Sequence, residues 1–138
     1  MKRKKSVVLL IEDELFIREL YQNRLQKSGF SVLVASDGME GFNLASKNPD
    51  IILLDIMLPK MNGMEVLAKL KENSQTSGIP IVMLTNLGQE SIIKEAFKKG
   101  CLGYIMKMRV TPSELSQRVE EFLANPTQKM DVAKIDLD

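Results

Sequence analysis

Histidine and tryptophan are absent from this 138-residue chain, and cysteine occurs once, at position 101. Without histidine there is no imidazole to ligate a metal and no base for a Ser-His-Asp triad. A lone cysteine excludes an intrachain disulfide, which fits a reducing compartment. Cys101 lies beside an apolar run and reads as a small buried hydrophobe. Aromatics are scarce, two Tyr and five Phe, so little is available to stack a flavin ring. No apolar stretch approaches the roughly 20 residues that span a bilayer. The first apolar run, Val7 to Ile11, is short and ends in acids, unlike a secretory signal. The expectation is a cytoplasmic protein without membrane contact.

Charge of neither sign dominates: 19 basic residues face 18 acidic ones. Four of the basic residues are Lys2, Arg3, Lys4 and Lys5, so the remainder is mildly acidic. That balance argues against broad nucleic-acid binding, which needs a basic face. The basic start reads as a solvated terminus.

What the chain does have is alternation. Short apolar runs rich in Ile, Leu and Val, at residues 7–11, 31–35, 51–54, 79–84 and 102–106, are separated by segments of helical period. Helices are expected over 14–28, 37–47, 65–73, 90–99 and 111–124. Gly29 and Gly100 mark helix ends, and Thr111-Pro112-Ser113-Glu114 is a helix start with Thr as N-cap, Pro at N1 and Glu at N3. Ile51 to Leu54 is apolar on both faces, as a parallel strand covered on both sides must be. Five βα units imply an α/β protein of flavodoxin-like, doubly wound architecture: a five-stranded parallel sheet in the order 2-1-3-4-5 with helices on both faces. The expected organisation is a basic extension at 1–5, one domain at 6–124, and a polar tail or the start of a linker at 125–138.

In such a fold ligands bind beyond the carboxyl ends of the strands, at the switch point between strands 1 and 3. The first run ends in Glu12-Asp13 and the third in Asp55; the fourth ends in Thr85 and the fifth in Lys107. Three carboxylates gathered within a few ångströms repel unless a cation intervenes, and hard oxygen ligands suit Mg²⁺. The backbone carbonyl of Met57, two residues past Asp55, is a further candidate ligand. Lys107 is suited to pair with Asp55 and then with a phosphoryl oxygen, and the Thr85 hydroxyl to donate to the same group. Tyr104, on the fifth strand, reads either as a partly exposed ring able to exchange rotamers or as an ordinary half-buried strand aromatic.

These pieces, Ile11-Glu12-Asp13-Glu14, Leu53 through Gly63, Leu84-Thr85 and Tyr104-Ile105-Met106-Lys107, resemble a bacterial response-regulator receiver domain over about residues 5–124. The resemblance implies that Asp55 accepts a phosphoryl group from the phosphohistidine of a sensor histidine kinase or phosphotransfer protein. It implies Mg²⁺ on Asp13, Asp55 and the Met57 carbonyl, with Glu12 acting through water. Thr85 and Tyr104 would be the switch residues, and the face of the fourth helix, fifth strand and fifth helix would change its protein contacts. Such a module is not a turnover enzyme; its expected partners are the phosphodonor and an unknown downstream protein, with no nucleic acid through this domain and a monomeric or weakly dimeric state.

The chain departs from the family at three places. Met108 stands where the family usually has Pro, so the Lys107–Met108 bond is expected to be trans or strained. Asn86 replaces a small residue after Thr85, where it either narrows access to Asp55 or contributes a hydrogen bond. Met57 and Leu87 flank the site with apolar bulk that is expected to hinder an attacking water and slow self-dephosphorylation. Two other readings stand beside this one. A phosphorylation-independent docking domain is left open by Met108 and Asn86. An aspartate-nucleophile phosphatase is disfavoured because Met57 occupies the position of its general acid. The few residues after Ala124 fit either a stand-alone receiver or a piece of a longer protein.

Overall fold

The computed structural model describes residues 5–132 and 135. Five parallel strands, β1 (Val7–Ile11), β2 (Ser31–Ala35), β3 (Ile51–Leu54), β4 (Ile81–Thr85) and β5 (Gly103–Met106), form one sheet in the order β2-β1-β3-β4-β5. Helices α1 (Leu15–Lys27), α2 (Gly38–Leu44), α3 (Gly63–Glu72), α4 (Glu90–Lys98) and α5 (Pro112–Ala124) connect them. The fold is the doubly wound one expected, and its periodicity explains it. Leu9, Ile11, Ile52, Leu54, Ile81 and Met83 point to one face, under α3 and α4 residues such as Val66, Leu67, Ile93 and Phe97. Their chain neighbours Val8, Leu10, Ile51, Leu53, Val82 and Leu84 point to the other, under Tyr21 and Leu25 of α1 and Leu115 and Val119 of α5. Successive strand side chains alternate faces, so a strand must be apolar throughout when helices cover both. Each fully buried Leu or Ile contributes on the order of 1.5–3 kcal/mol.

Element ends differ from expectation by one to three residues, for local reasons. Helix α3 begins at Gly63 rather than 65 because Asn62 is its cap: Asn62 Oδ1 accepts from the Glu65 amide at 3.1 Å and its Nδ2 donates to Glu65 Oε1 at 3.0 Å. The second helix stops being α-helical at Leu44; Ala45–Lys47 form a 3₁₀ turn closed by Asn48 at φ 58°. Strand β4 starts after Pro80, which has no amide to give the sheet. At Thr111 the capping box is complete, with Thr111 Oγ1 and Glu114 Oε1 each accepting the other residue's amide.

Within the described part of the expected polar tail, residues 125–129 and Asp131 are exposed, while the apolar Met130, Val132 and Ile135 are partly buried against the core. Among the described residues no helix is long and apolar enough to cross a membrane. Burial pushes the Cys101 thiol up to about 12, consistent with an inert core residue.

Candidate functional site

Parallel register assembles the site. Ile11 pairs with Leu54, so the next residue on each strand, Glu12 and Asp55, leaves the sheet beside the other at the β1/β3 switch point. The Asp55 amide donates to the Ile11 carbonyl at 3.2 Å. Carboxylate oxygens of Glu12, Asp13 and Asp55 all lie within 4.8 Å of one another. Glu12 and Asp55 are buried, whereas Asp13 faces solvent at the mouth. A pocket of about 280 Å³ joins these three acids with Met57, Thr85, Asn86 and Lys107.

Asp55 is held from two sides. Its Oδ1 accepts from the amides of Ile56 at 2.7 Å and Met57 at 3.4 Å, and its Oδ2 accepts from Lys107 Nζ at 2.6 Å. Lys107 also forms an ion pair with Glu12 Oε1, and its side chain is only 9% exposed. Burial alone would lower the Lys107 pKa, but the hydrogen bonds and charges of Asp55 and Glu12 outweigh it and hold the ammonium protonated. Burial raises the Glu12 pKa, against the opposing pull of Lys107 and the Glu14 amide.

The loop after Asp55 folds back tightly. The Gly63 amide donates to the Ile56 carbonyl at 2.7 Å, and a Cβ on Gly63 would stand 2.0 Å from the Asp55 carbonyl oxygen. Only glycine admits that approach, which explains why a glycine closes the Leu58-Pro59-Lys60-Met61-Asn62 turn. Met57 is 65% exposed at the pocket mouth.

Two departures from the family pattern prove to be partners. The Asn86 side-chain oxygen accepts the Met108 amide at 3.1 Å. β4–β5 register sets Thr85 opposite Met106, so the next residues, Asn86 and Lys107, sit side by side and Met108 lies within reach. A proline at 108 would have no N–H to offer, so the amide that its absence leaves is the one Asn86 engages. No peptide bond among the described residues is cis. Sequence spacing of 22 residues hides this pairing.

Thr85 is buried, and its Oγ1 accepts from the Leu87 amide at 3.4 Å. Tyr104 corrects an expectation. It is 1% exposed rather than partly exposed or half-buried, and its hydroxyl donates to the Leu87 carbonyl at 2.5 Å. It lies in the core cluster against which Leu87 and the C-terminal apolar residues pack. Thr85 and Tyr104 are therefore joined through one residue, Leu87.

Comparison with known proteins agrees with this geometry. The family model "Response regulator receiver domain" matches residues 8–120. The chain is 37% identical over 123 residues to the probable transcriptional regulator ycf29 of Pyropia yezoensis, covering 88% of this chain and 55% of that one. It is 41% identical over 117 residues to the transcriptional regulatory protein SrrA of Staphylococcus aureus, covering 84% and 47%. The chain thus spans about half the length of these curated relatives. Among solved structures it resembles the chemotaxis protein CheY4 of Vibrio cholerae, with a TM-score of 0.79 and 29% identity over 86% of this chain and 98% of that one. It also resembles the Mn²⁺-bound response regulator Rcp1, with a TM-score of 0.77 and 28% identity over 91% and 99%. With the five-stranded order, the acidic switch point and a match over most of its length, the chain belongs to the response-regulator receiver domain family of two-component signalling.

Proposed function

We propose that this receiver accepts a phosphoryl group on Asp55 from a phosphohistidine and converts it into a change of protein contacts. The observation that carries the reading is the contact of Lys107 Nζ with Asp55 Oδ2 at 2.6 Å inside a three-carboxylate pocket. A carboxylate oxygen of Asp55 bonds to phosphorus as the phosphorus–nitrogen bond of the donor breaks, and the electron pair leaves with the imidazole nitrogen. Lys107 moves its ammonium from a carboxylate to a phosphoryl oxygen only a few ångströms away, so little reorganisation is needed.

The donor set fits Mg²⁺: hard oxygens, two of them buried, beside an open mouth. Asp13, Asp55 and the Met57 carbonyl would hold the ion, with Glu12 acting through water. Rcp1, a similar receiver, is known in a Mn²⁺-bound form. Bound there, Mg²⁺ supplies positive charge where negative charge develops on the transferring group.

The donor is expected to be a protein. Leu15, Phe16, Met57 and Met108 are exposed, and each lies within three residues of Asp13, Asp55 or Lys107. Met57 lines the pocket itself, and exposed apolar side chains this near to a polar pocket support a docking rim. For output, Thr85 turning toward a phosphorylated Asp55 would release the Leu87 amide, while Tyr104 holds the Leu87 carbonyl. The phosphoryl group biases a two-state equilibrium by its differential contacts. This supports a change at the face of α4, β5 and α5; a Lys107 turned away from Asp55 would have favoured a phosphorylation-independent docking domain, and here it engages Asp55 directly. The phosphatase reading lacks a general acid, because position 57 is methionine.

Beryllofluoride with Mg²⁺ tests the reading: it should occupy Asp55 and shift the amide resonances of Thr85, Leu87 and Tyr104, and Asp55→Asn should abolish the shifts. Steady Asp55-dependent turnover of a phosphate monoester would instead revive the phosphatase. Met57 stands at the mouth, so Met57→Glu or Met57→Asn should admit water and shorten the phosphoryl lifetime several-fold, read as the decay of phosphorylated mass. An unchanged lifetime would remove the role assigned to Met57.

A further inference from the structure

The family match ends at residue 120, yet the chain beyond α5 is bound to three elements at once. Lys129 Nζ donates to the Phe97 carbonyl in the last turn of α4 at 3.1 Å, where the helix's partial negative charge favours a cation. The Met130 amide donates to the Leu102 carbonyl at the entry to β5 at 2.8 Å. Arg118 of α5 donates to Met130 Sδ at 3.7 Å. β5 is an edge strand, and an uncovered edge is a template for an incoming chain. A cavity of about 270 Å³ beside it is lined by Tyr104, Met106, Arg109 and Arg118 together with Met130 and Ile135.

We propose that the α4–β5–α5 face is a seat for an extended segment, that its resident occupant is this chain's own C-terminal strap, engaged through Lys129, Met130 and Ile135, and that the docked strap holds Tyr104 inward. Backbone bonding to a strand edge with apolar side chains set into the adjoining cavity is how extended peptides are recognised. A Tyr104 ring turned outward would enter the space that Met130 and Ile135 line, so inward ring and docked strap require each other. The coupling rests on the proposed switching of Tyr104 at that face. It is also reciprocal: whatever favours the inward ring at Asp55 favours the strap, and the strap in turn favours occupancy of Asp55.

The full chain carrying Met130→Asp and Ile135→Asp detaches the strap, and Met130→Pro removes the amide donor without adding charge. In the parent protein, hydrogen exchange at Met130 should be slow and a synthetic peptide of residues 125–138 should not bind in trans. In either variant that amide or its segment should exchange at the rate of free chain, and the peptide should bind with at least about tenfold higher affinity than to the parent. In a Tyr21→Phe background, Tyr104 emission should become accessible to iodide, and beryllofluoride with Mg²⁺ should bind at least about fivefold more weakly, the lower end of ordinary allosteric coupling. Fast exchange of the strap in the parent, or equal peptide binding to parent and variants, would overturn the seat. Unchanged Tyr104 quenching and beryllofluoride affinity would overturn the coupling. Absence of beryllofluoride binding in the parent would sink the Asp55 reading alone, since exchange and peptide binding need no phosphoryl analogue.

Discussion

Lys107→Met should slow phosphoryl acceptance by about 10²–10³-fold, the loss expected when one preorganised donor to developing negative charge is removed. The ammonium sits 2.6 Å from Asp55 Oδ2 and also pairs with Glu12, so it needs no large movement to meet a transferring phosphoryl group. Methionine keeps much of the length and apolar stem while removing the charge. The same substitution leaves Glu12 and Asp55 buried without their cation. In metal-free buffer it should therefore destabilise the fold, toward the roughly 3–5 kcal/mol seen when one partner of a buried ion pair is deleted. Asn86→Ala separates charge from placement. It keeps the ammonium but frees the Met108 amide, so a smaller loss of about tenfold is expected, from misplacement alone. Rates of acetyl phosphate labelling followed by intact mass, with urea unfolding in parallel, check both variants. Lys107→Met labelling at the parent rate would show that Lys107 plays no part in the transfer.

Asp13→Asn should erase the protein's response to Mg²⁺. Ligand that binds only the folded state stabilises it by about 2.7 kcal/mol at a hundred times Kd. For a chain of this size that raises Tm by roughly 10 °C. Asp13 is the exposed member of the acidic cluster, so its substitution costs no packing. Without metal, removing one of three carboxylates whose oxygens lie within 4.8 Å relieves repulsion, and the variant should be at least as stable as the parent. The sign of the effect therefore reverses between chelator and excess Mg²⁺, which a merely structural role for Asp13 would not produce. Thermal melts of both proteins in the two buffers measure it. An equal Mg²⁺ shift in parent and variant would place the ion elsewhere.

Much of the architecture was legible because strands buried on both faces must be apolar throughout. Ile51-Ile52-Leu53-Leu54 and Ile81-Val82-Met83-Leu84 leave few other readings, and parallel order then brings the polar residue at the end of each strand to one edge. That is why Glu12, Asp55, Thr85 and Lys107 converge in the structure as their positions suggested. What periodicity does not carry is pairing between loops. Asn86 and Met108 each look like a departure when taken alone, and only β4–β5 register makes them an acceptor and its donor. The burial of Tyr104 was hidden for a similar reason. Tyr104 is held by the β4–α4 loop, and the cavity beside it is lined by Met130 and Ile135, apolar residues too irregularly spaced to suggest an element.

On the proposed reading, Asp55, in a pocket completed by a divalent cation, takes up one phosphoryl group. Intact mass spectrometry after incubation with acetyl phosphate tests it most directly. The mass of a single phosphoryl should appear with Mg²⁺, vanish with chelator, and vanish in Asp55→Asn. A protein that stays unmodified under all three conditions, or that gains the same mass without Asp55, would contradict it.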